Sequence, residues 1–124
     1  MKIIILFLFV ISASAQTASI LKFDEKLVSK VTEVDFFTTE KRGFRDESGV
    51  VYFVQNDLQS IVAFEKEKIL WKVNVISLCG NAAVGKNEIR FLKLEKDTLI
   101  VIYGKHNFAS VAKFDGKILC QGSD

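Results

Sequence analysis

Cys79, Cys120 and His106 are the residues of this 124-residue sequence whose side chains are best suited to nucleophilic or metal chemistry. His106 is the only histidine, and no ligand partners stand at a spacing that suits a metal ion. Neither cysteine has the sequence context of a catalytic thiol, which also needs a base such as histidine. We therefore interpret His106 as a solvated loop residue and predict no catalytic or metal site.

A disulfide between Cys79 and Cys120 is the interpretation we favour for the two thiols. Two cysteines allow one pairing, and the bond would close a loop of about 40 residues, which is worth roughly 4 kcal/mol in the chain-entropy model. Two unpaired buried thiols are the alternative.

The segment Gly80–Lys86 has the glycine and lysine spacing of a phosphate-binding loop. In that motif a Ser or Thr follows the lysine to hold magnesium, and the loop opens a helix. Here Asn87 follows, and Glu88–Phe91 is typical of a strand. We therefore predict a glycine-containing loop and no bound cofactor.

Acidic pairs such as Asp46 and Glu47 could supply the two carboxylates of a glycosidase. They lie in a charged segment, Glu40–Gly49, that we predict to be a loop. Solvated side chains are typical of such a segment, so we interpret both carboxylates as solvated.

Basic and aromatic residues form a candidate contact patch, whose members are Arg42, Phe44, Arg45 and Trp71. Neighbouring carboxylates offset its positive charge. The whole sequence has 17 Lys and Arg against 15 Asp and Glu, which is not the basic footprint of a nucleic-acid-binding protein. We expect any macromolecular partner to be a protein or a second copy of the chain, and not a nucleic acid.

Short runs of β-branched and aromatic residues, separated by polar turns, indicate an all-β protein of one domain. Short connections make neighbouring strands antiparallel, and Asp115–Gly116 predicts one of the hairpin turns. The unbroken apolar run Leu99–Tyr103 predicts a central strand that is covered on both faces. No segment has a sustained helical period. The clearest predicted strands are Val50–Asn56, Ser60–Glu65, Lys68–Ile76, Glu88–Leu94, Thr98–Gly104, Phe108–Phe114 and Lys117–Gln121.

Residues 1–15 have the pattern of a secretory signal peptide, with Lys2, the apolar run Ile3–Ile11 and the small residues Ser12–Ala15. The apolar run is too short to cross a bilayer, which takes roughly 20 helical residues. We predict a single mature domain, residues 16–124, that is secreted or periplasmic and has no membrane span.

Three segments share a motif in which a phenylalanine and an acidic turn precede a lysine and an apolar strand. They are Phe23–Ser29, Phe64–Trp71 and Phe114–Cys120. Upstream of the second copy, Val50–Phe53 occupies the place that Ile100–Tyr103 occupies before the third. The arrangement resembles the outer hairpins of PQQ-like β-propeller repeats, and Ala63–Lys72 is the best copy.

The resemblance implies blade-like antiparallel sheets. We predict a meander of about eight to ten short strands that packs as a small barrel or sandwich, or forms part of a propeller. The mature chain is too short for a closed ring of blades, so no cofactor-binding residue is carried over. Exposed sheet edges would need closure or association.

These observations predict an exported, non-catalytic binding or assembly module with a protein partner or a homo-oligomeric state. One alternative is a subunit or remnant of a PQQ-type propeller enzyme that obtains further blades from other chains. Another is a small secreted hydrolase that uses Asp46 and Glu47.

Overall fold

A computed structural model gives the fold of residues 21–123. Half of this structure (50%) is strand and 8% is helical, which confirms the all-β prediction. Within these residues, two sheets pack on each other as a sandwich and close no barrel. The predicted signal peptide, residues 1–15, lies outside the described residues, and no described helix is long and apolar enough to cross a membrane.

Each sheet consists of a four-stranded antiparallel meander and one added edge strand. In chain order the strands are β1 (Val28–Ser29), β2 (Glu33–Asp35), β3 (Gly43–Arg45), β4 (Val50–Val54), β5 (Ser60–Glu65), β6 (Lys68–Asn74), β7 (Ile89–Glu95), β8 (Thr98–Tyr103), β9 (Asn107–Ala112) and β10 (Ile118–Ser123). The first sheet has the order β1-β3-β4-β5-β6, with β1 parallel to β3, and the second has the order β10-β9-β8-β7-β2.

The seven strands predicted from the sequence correspond to β4–β10, with ends that differ by up to two residues. The predicted loop Glu40–Gly49 contains β3, because the side chain of Phe44 is buried and its backbone pairs with that of Tyr52. The last predicted residues of β6 instead enter a short helix, α1 (Val75–Cys79), which the sequence did not predict. Its first turn is capped by the side chain of Asn74, which accepts a hydrogen bond from the N–H of Ser77 at 2.8 Å.

The two meanders stack in the same orientation. In β4, the N–H of Val54 donates to the carbonyl of Arg42 on the β3 side, at 2.9 Å. Directly after β8, the N–H of Gly104 donates to the carbonyl of Glu88 on the β7 side, at 3.1 Å. In β4 and β8, the second strands of the two meanders, the backbone groups of even-numbered residues therefore point toward the first strand, β3 or β7. Because chirality fixes the side-chain direction relative to the backbone bonds, the even-numbered side chains of β4 and β8 lie on the same face of each meander. We call this face the back of the sheet and the opposite face the front.

The back of the first sheet packs on the front of the second. Tyr52 and Val54 from the back of β4 share one core cluster with Leu99 and Val101 from the front of β8. A second cluster covers the front of the first sheet, where Phe53 and other front residues pack against the segment Leu21–Leu27. The order of layers is therefore the Leu21–Leu27 segment, the first sheet and the second sheet.

Coverage differs between the two central strands. All five residues of β4 are buried, because each face of the first sheet is covered. In β8 the front residues Leu99, Val101 and Tyr103 are buried, whereas Ile100 and Ile102 on the back are only partly buried. The prediction that Leu99–Tyr103 is covered on both faces is therefore wrong for this chain.

Candidate functional site

The back of the second sheet is an apolar surface that no other part of the described structure covers. Phe91, Ile102 and Phe108 lie side by side on β7, β8 and β9. In the next row, Ile100 is followed across the sheet by Ser110 and Leu119. None of these side chains belongs to either core cluster of residues 21–123, and Leu119 is 63% exposed. We call these residues of β7–β10 the back face.

Charged residues border the back face on its β2 side. Glu33 on β2 lies opposite Lys93 on β7, and Asp35 lies opposite Phe91. Lys93 also forms an exposed ion pair with Glu95 at 3.5 Å. The surface thus has an apolar centre and a polar rim on one side, as protein-binding surfaces do.

The sequence builds this surface by placing apolar residues on both sides of one strand. Strands whose outer face meets water alternate apolar and polar residues, but β8 is apolar at five successive positions, Leu99–Tyr103. A turn with Lys96 at a φ of 57° connects β7 to β8, so the two strands pair closely. The unbroken apolar run is evident in the sequence, but the sequence did not predict that the back of β8 is uncovered.

The predicted contact patch is dispersed in the structure. Phe44 is fully buried against Tyr52, with ring centroids 6.0 Å apart. Trp71 is 8% exposed, and its indole N–H donates to the carbonyl of Lys113 at 2.8 Å. These two side chains cannot form a contact surface with the arginines, because both belong to the core between the sheets.

The two arginines of the predicted patch lie apart from each other. Arg45 is exposed and forms a two-point salt bridge with Glu25, with both N–O distances 2.9 Å. That hydrogen-bonded pairing lowers the pKa of Glu25 and raises that of Arg45. Arg42 is partly buried, and its guanidinium lies over the ring of Phe36 at 5.4 Å.

Asp46 is buried, which corrects its interpretation as a solvated residue. One carboxylate oxygen accepts from the hydroxyl and N–H of Ser48 and from the N–H of Val50. The other accepts from the Tyr52 hydroxyl at 2.9 Å and from the Lys113 ammonium at 3.2 Å. Burial by itself raises the pKa of Asp46, but these donors outweigh it and lower the pKa to about 2.

This cluster has the chemistry of a structural link between the sheets. Asp46 follows β3 in the first sheet, and Lys113 follows β9 in the second. Burial, and then the adjacent carboxylate, raise the pKa of Tyr52. Glu47 is exposed, so the structure does not bring the two carboxylates of the proposed hydrolase into one buried site.

The predicted disulfide between Cys79 and Cys120 is confirmed, with Cα atoms 5.4 Å apart. Cys79 ends α1, which follows the last strand of the first sheet, and Cys120 lies on the last strand of the second. The bond therefore ties the outer edges of the two sheets together. A disulfide is compatible with an oxidising extracellular compartment.

No family model, curated protein or solved structure matches this chain.

Proposed function

We propose that the protein is an exported, non-catalytic assembly module with blade-like repeats, and that its back face binds the back face of a second copy. The observation that carries this proposal is the stack of layers within the chain. The back of the first sheet is covered by another sheet, while the corresponding face of the second sheet has apolar side chains and no cover. The resemblance to PQQ-like repeats accords with blades stacked in one orientation.

The choice of a second copy follows from the faces that one chain leaves free. The front of the first sheet is covered by Leu21–Leu27, and the front of the second is covered by the first sheet. The back face is the remaining sheet face of the described chain. The back faces of two copies can pack against each other around a two-fold axis without the movement of any segment. Two-fold dimers are also the commonest oligomers.

The size of the back face limits the strength of such a dimer. Four strands about 4.8 Å apart, each about six residues long, give a face of roughly 400 Å². Two copies would bury about 800 Å² in total, which is in the range of weak, transient interfaces. We therefore expect a dimer that dissociates on dilution.

Sedimentation velocity of the secreted protein over a range of concentrations tests the proposal. We expect the wild type to sediment as a dimer at high concentration. Leu119→Lys should weaken the dimer by about tenfold or more, because it places a charge in the apolar interface. Leu119 is 63% exposed in the single chain, so this change leaves the fold intact. Ile102→Lys, at the centre of the face, should have a larger effect.

Leu78→Lys is the matched control, since Leu78 is 60% exposed on α1 and lies outside the back face. It should leave the dimer unchanged. A wild type that stays monomeric at every concentration contradicts the proposal. So does a dimer that Leu119→Lys and Leu78→Lys weaken equally.

A further inference from the structure

A basic and aromatic cleft of about 400 Å³ lies near the start of β7. It is lined by the connection between β2 and β3, by the loop before β7, by the start of β7 and by the loop after β8. Its aromatic and cationic lining residues are Phe36, Phe37, Arg42, Lys86, Arg90 and Lys105. Four of these are cationic and Glu88 is the acidic residue that lines the cleft with them, although the whole chain is nearly neutral.

Arg90 is held in place by the backbone. Its Nε donates to the carbonyl of Gly104 at 2.9 Å, and its Nη2 donates to the carbonyl of Lys105 at 2.7 Å. Gly104 has a φ of 61°, and a Cβ there would lie 2.8 Å from the carbonyl oxygen of Val84. The loop that holds Arg90 is therefore closely packed. Because a guanidinium has five N–H donors, three remain for a ligand.

Both arginines lie against aromatic rings. The guanidinium of Arg90 is 5.7 Å from the ring centroid of Phe37, and that of Arg42 is 5.4 Å from the centroid of Phe36. Within residues 21–123, neither arginine has a carboxylate at salt-bridge distance. An arginine stacked on a ring keeps its N–H edge available, and that edge matches a carboxylate in two-point geometry.

Phe37 gives the cleft an exposed apolar wall. Its side chain is 76% exposed, while its backbone N–H donates to the carboxylate of Asp35 at 3.0 Å. The N–H of Thr38 donates to the carbonyl of the same aspartate at 3.0 Å. A turn thus holds the backbone of Phe37, whose exposed ring lies beside Arg90. Leu58 and Ile89 extend the apolar lining.

We propose that this cleft binds a small organic acid, with the carboxylate on Arg42 and Arg90 and an apolar or aromatic body on Phe37. The positive charge selects an anion, the planar donor edges select a carboxylate, and the exposed ring selects an apolar body. This site is separate from the back face and its inference does not depend on the dimer.

Titration of the protein with 3-phenylpropionate, followed by NMR of the backbone N–H groups, tests the proposal. The neutral compound 3-phenylpropionamide, called the amide below, is the matched probe. We expect the acid to shift the resonances of Phe37, Arg42, Arg90 and Gly104. The amide should bind at least about tenfold more weakly, because it lacks the charge. Inorganic phosphate should bind the same residues more weakly than the acid, because it has no apolar body.

Two variants and one control locate the site. Arg42→Gln should weaken binding of the acid by about tenfold, and Phe37→Ser should weaken it by less, since the ring supplies an apolar contact only. Arg45→Gln removes an exposed arginine outside the cleft and should have no effect. Equal binding of acid and amide overturns the proposal. Equal binding by the Arg42→Gln and Arg45→Gln variants does so too, as does phosphate binding as tightly as the acid.

Discussion

At the residue scale, Asp46 is the ionisable group on which folding stability depends most clearly. Its pKa is about 2 in the folded protein against an ordinary value of 3.8, because five donors from both sheets bond its carboxylate. A lowered folded-state pKa means that the ionised carboxylate stabilises the fold at neutral pH. That stabilisation is present above about pH 4 and is lost as the pH falls toward 2.

We predict that Asp46→Asn lowers the free energy of unfolding at pH 7 by about 2 kcal/mol. The variant should also lose less stability than the wild type between pH 4 and pH 2, because the titrating group is gone. Urea unfolding at a series of pH values measures both effects. Glu47→Gln, which changes the exposed neighbour, is the control. Parallel pH profiles for the wild type and Asp46→Asn would contradict this account.

The sequence predicted the cysteine pair but not the environment of Asp46. Two cysteines allow one pairing, and the pattern of residues 1–15 favoured an oxidising compartment, so the disulfide was the natural prediction. Asp46 accepts a hydrogen bond from Lys113, which is 67 residues away and follows β9 of the other sheet. The sequence did not predict the cleft for the same reason. Phe37 and Arg90 are distant in sequence, and only the fold brings the guanidinium to 5.7 Å from the ring centroid.

At the element scale, the segment Leu21–Leu27 acts as the cover of the first sheet. Phe23 contacts Phe64 and Phe53 there, with ring centroids 5.0 and 5.8 Å away. Phe23 in this segment begins the first copy of the repeated motif, and Phe114 begins the third copy. Phe114 is 72% exposed and covers no sheet. Phe23 and Phe114 occupy the same position in the motif, but only Phe23 packs on a sheet. A comparison of the two therefore shows how much the packing contributes to stability.

We predict that Phe23→Ser lowers the free energy of unfolding by about 2 kcal/mol, because it uncovers apolar side chains on the front of the first sheet. Phe114→Ser should change it by less than about 0.5 kcal/mol. Urea unfolding at neutral pH compares the two. Equal losses would show that Leu21–Leu27 does not stabilise the sheet.

The strands themselves were largely predictable, and the exceptions have clear physical causes. β4–β10 have strong β-branched and aromatic runs with turn residues between them. β1–β3 have two or three residues each, too few for a pattern of alternation to be visible. The helix α1 forms in a β-like sequence because Asn74 caps it and Cys79 anchors it to β10.

At the scale of the whole molecule, residues 21–123 form a stack of layers with one uncovered end. The apolar run Leu99–Tyr103 predicted a strand covered on both faces, and the fold supplies cover on the front alone. The same kind of run in β4 is covered on both faces. We propose that the second cover comes from another copy.

The most direct test is a search for nuclear Overhauser effects between copies, in a mixture of isotope-labelled and unlabelled protein. We predict contacts between the methyl groups of Ile100 or Ile102 in one copy and the rings of Phe91 or Phe108 in the other. Contacts from Ile102 to the front residue Phe53 of another copy would contradict the two-fold arrangement. The absence of any contact between copies, at concentrations where the dimer is expected, would contradict association through the back face altogether.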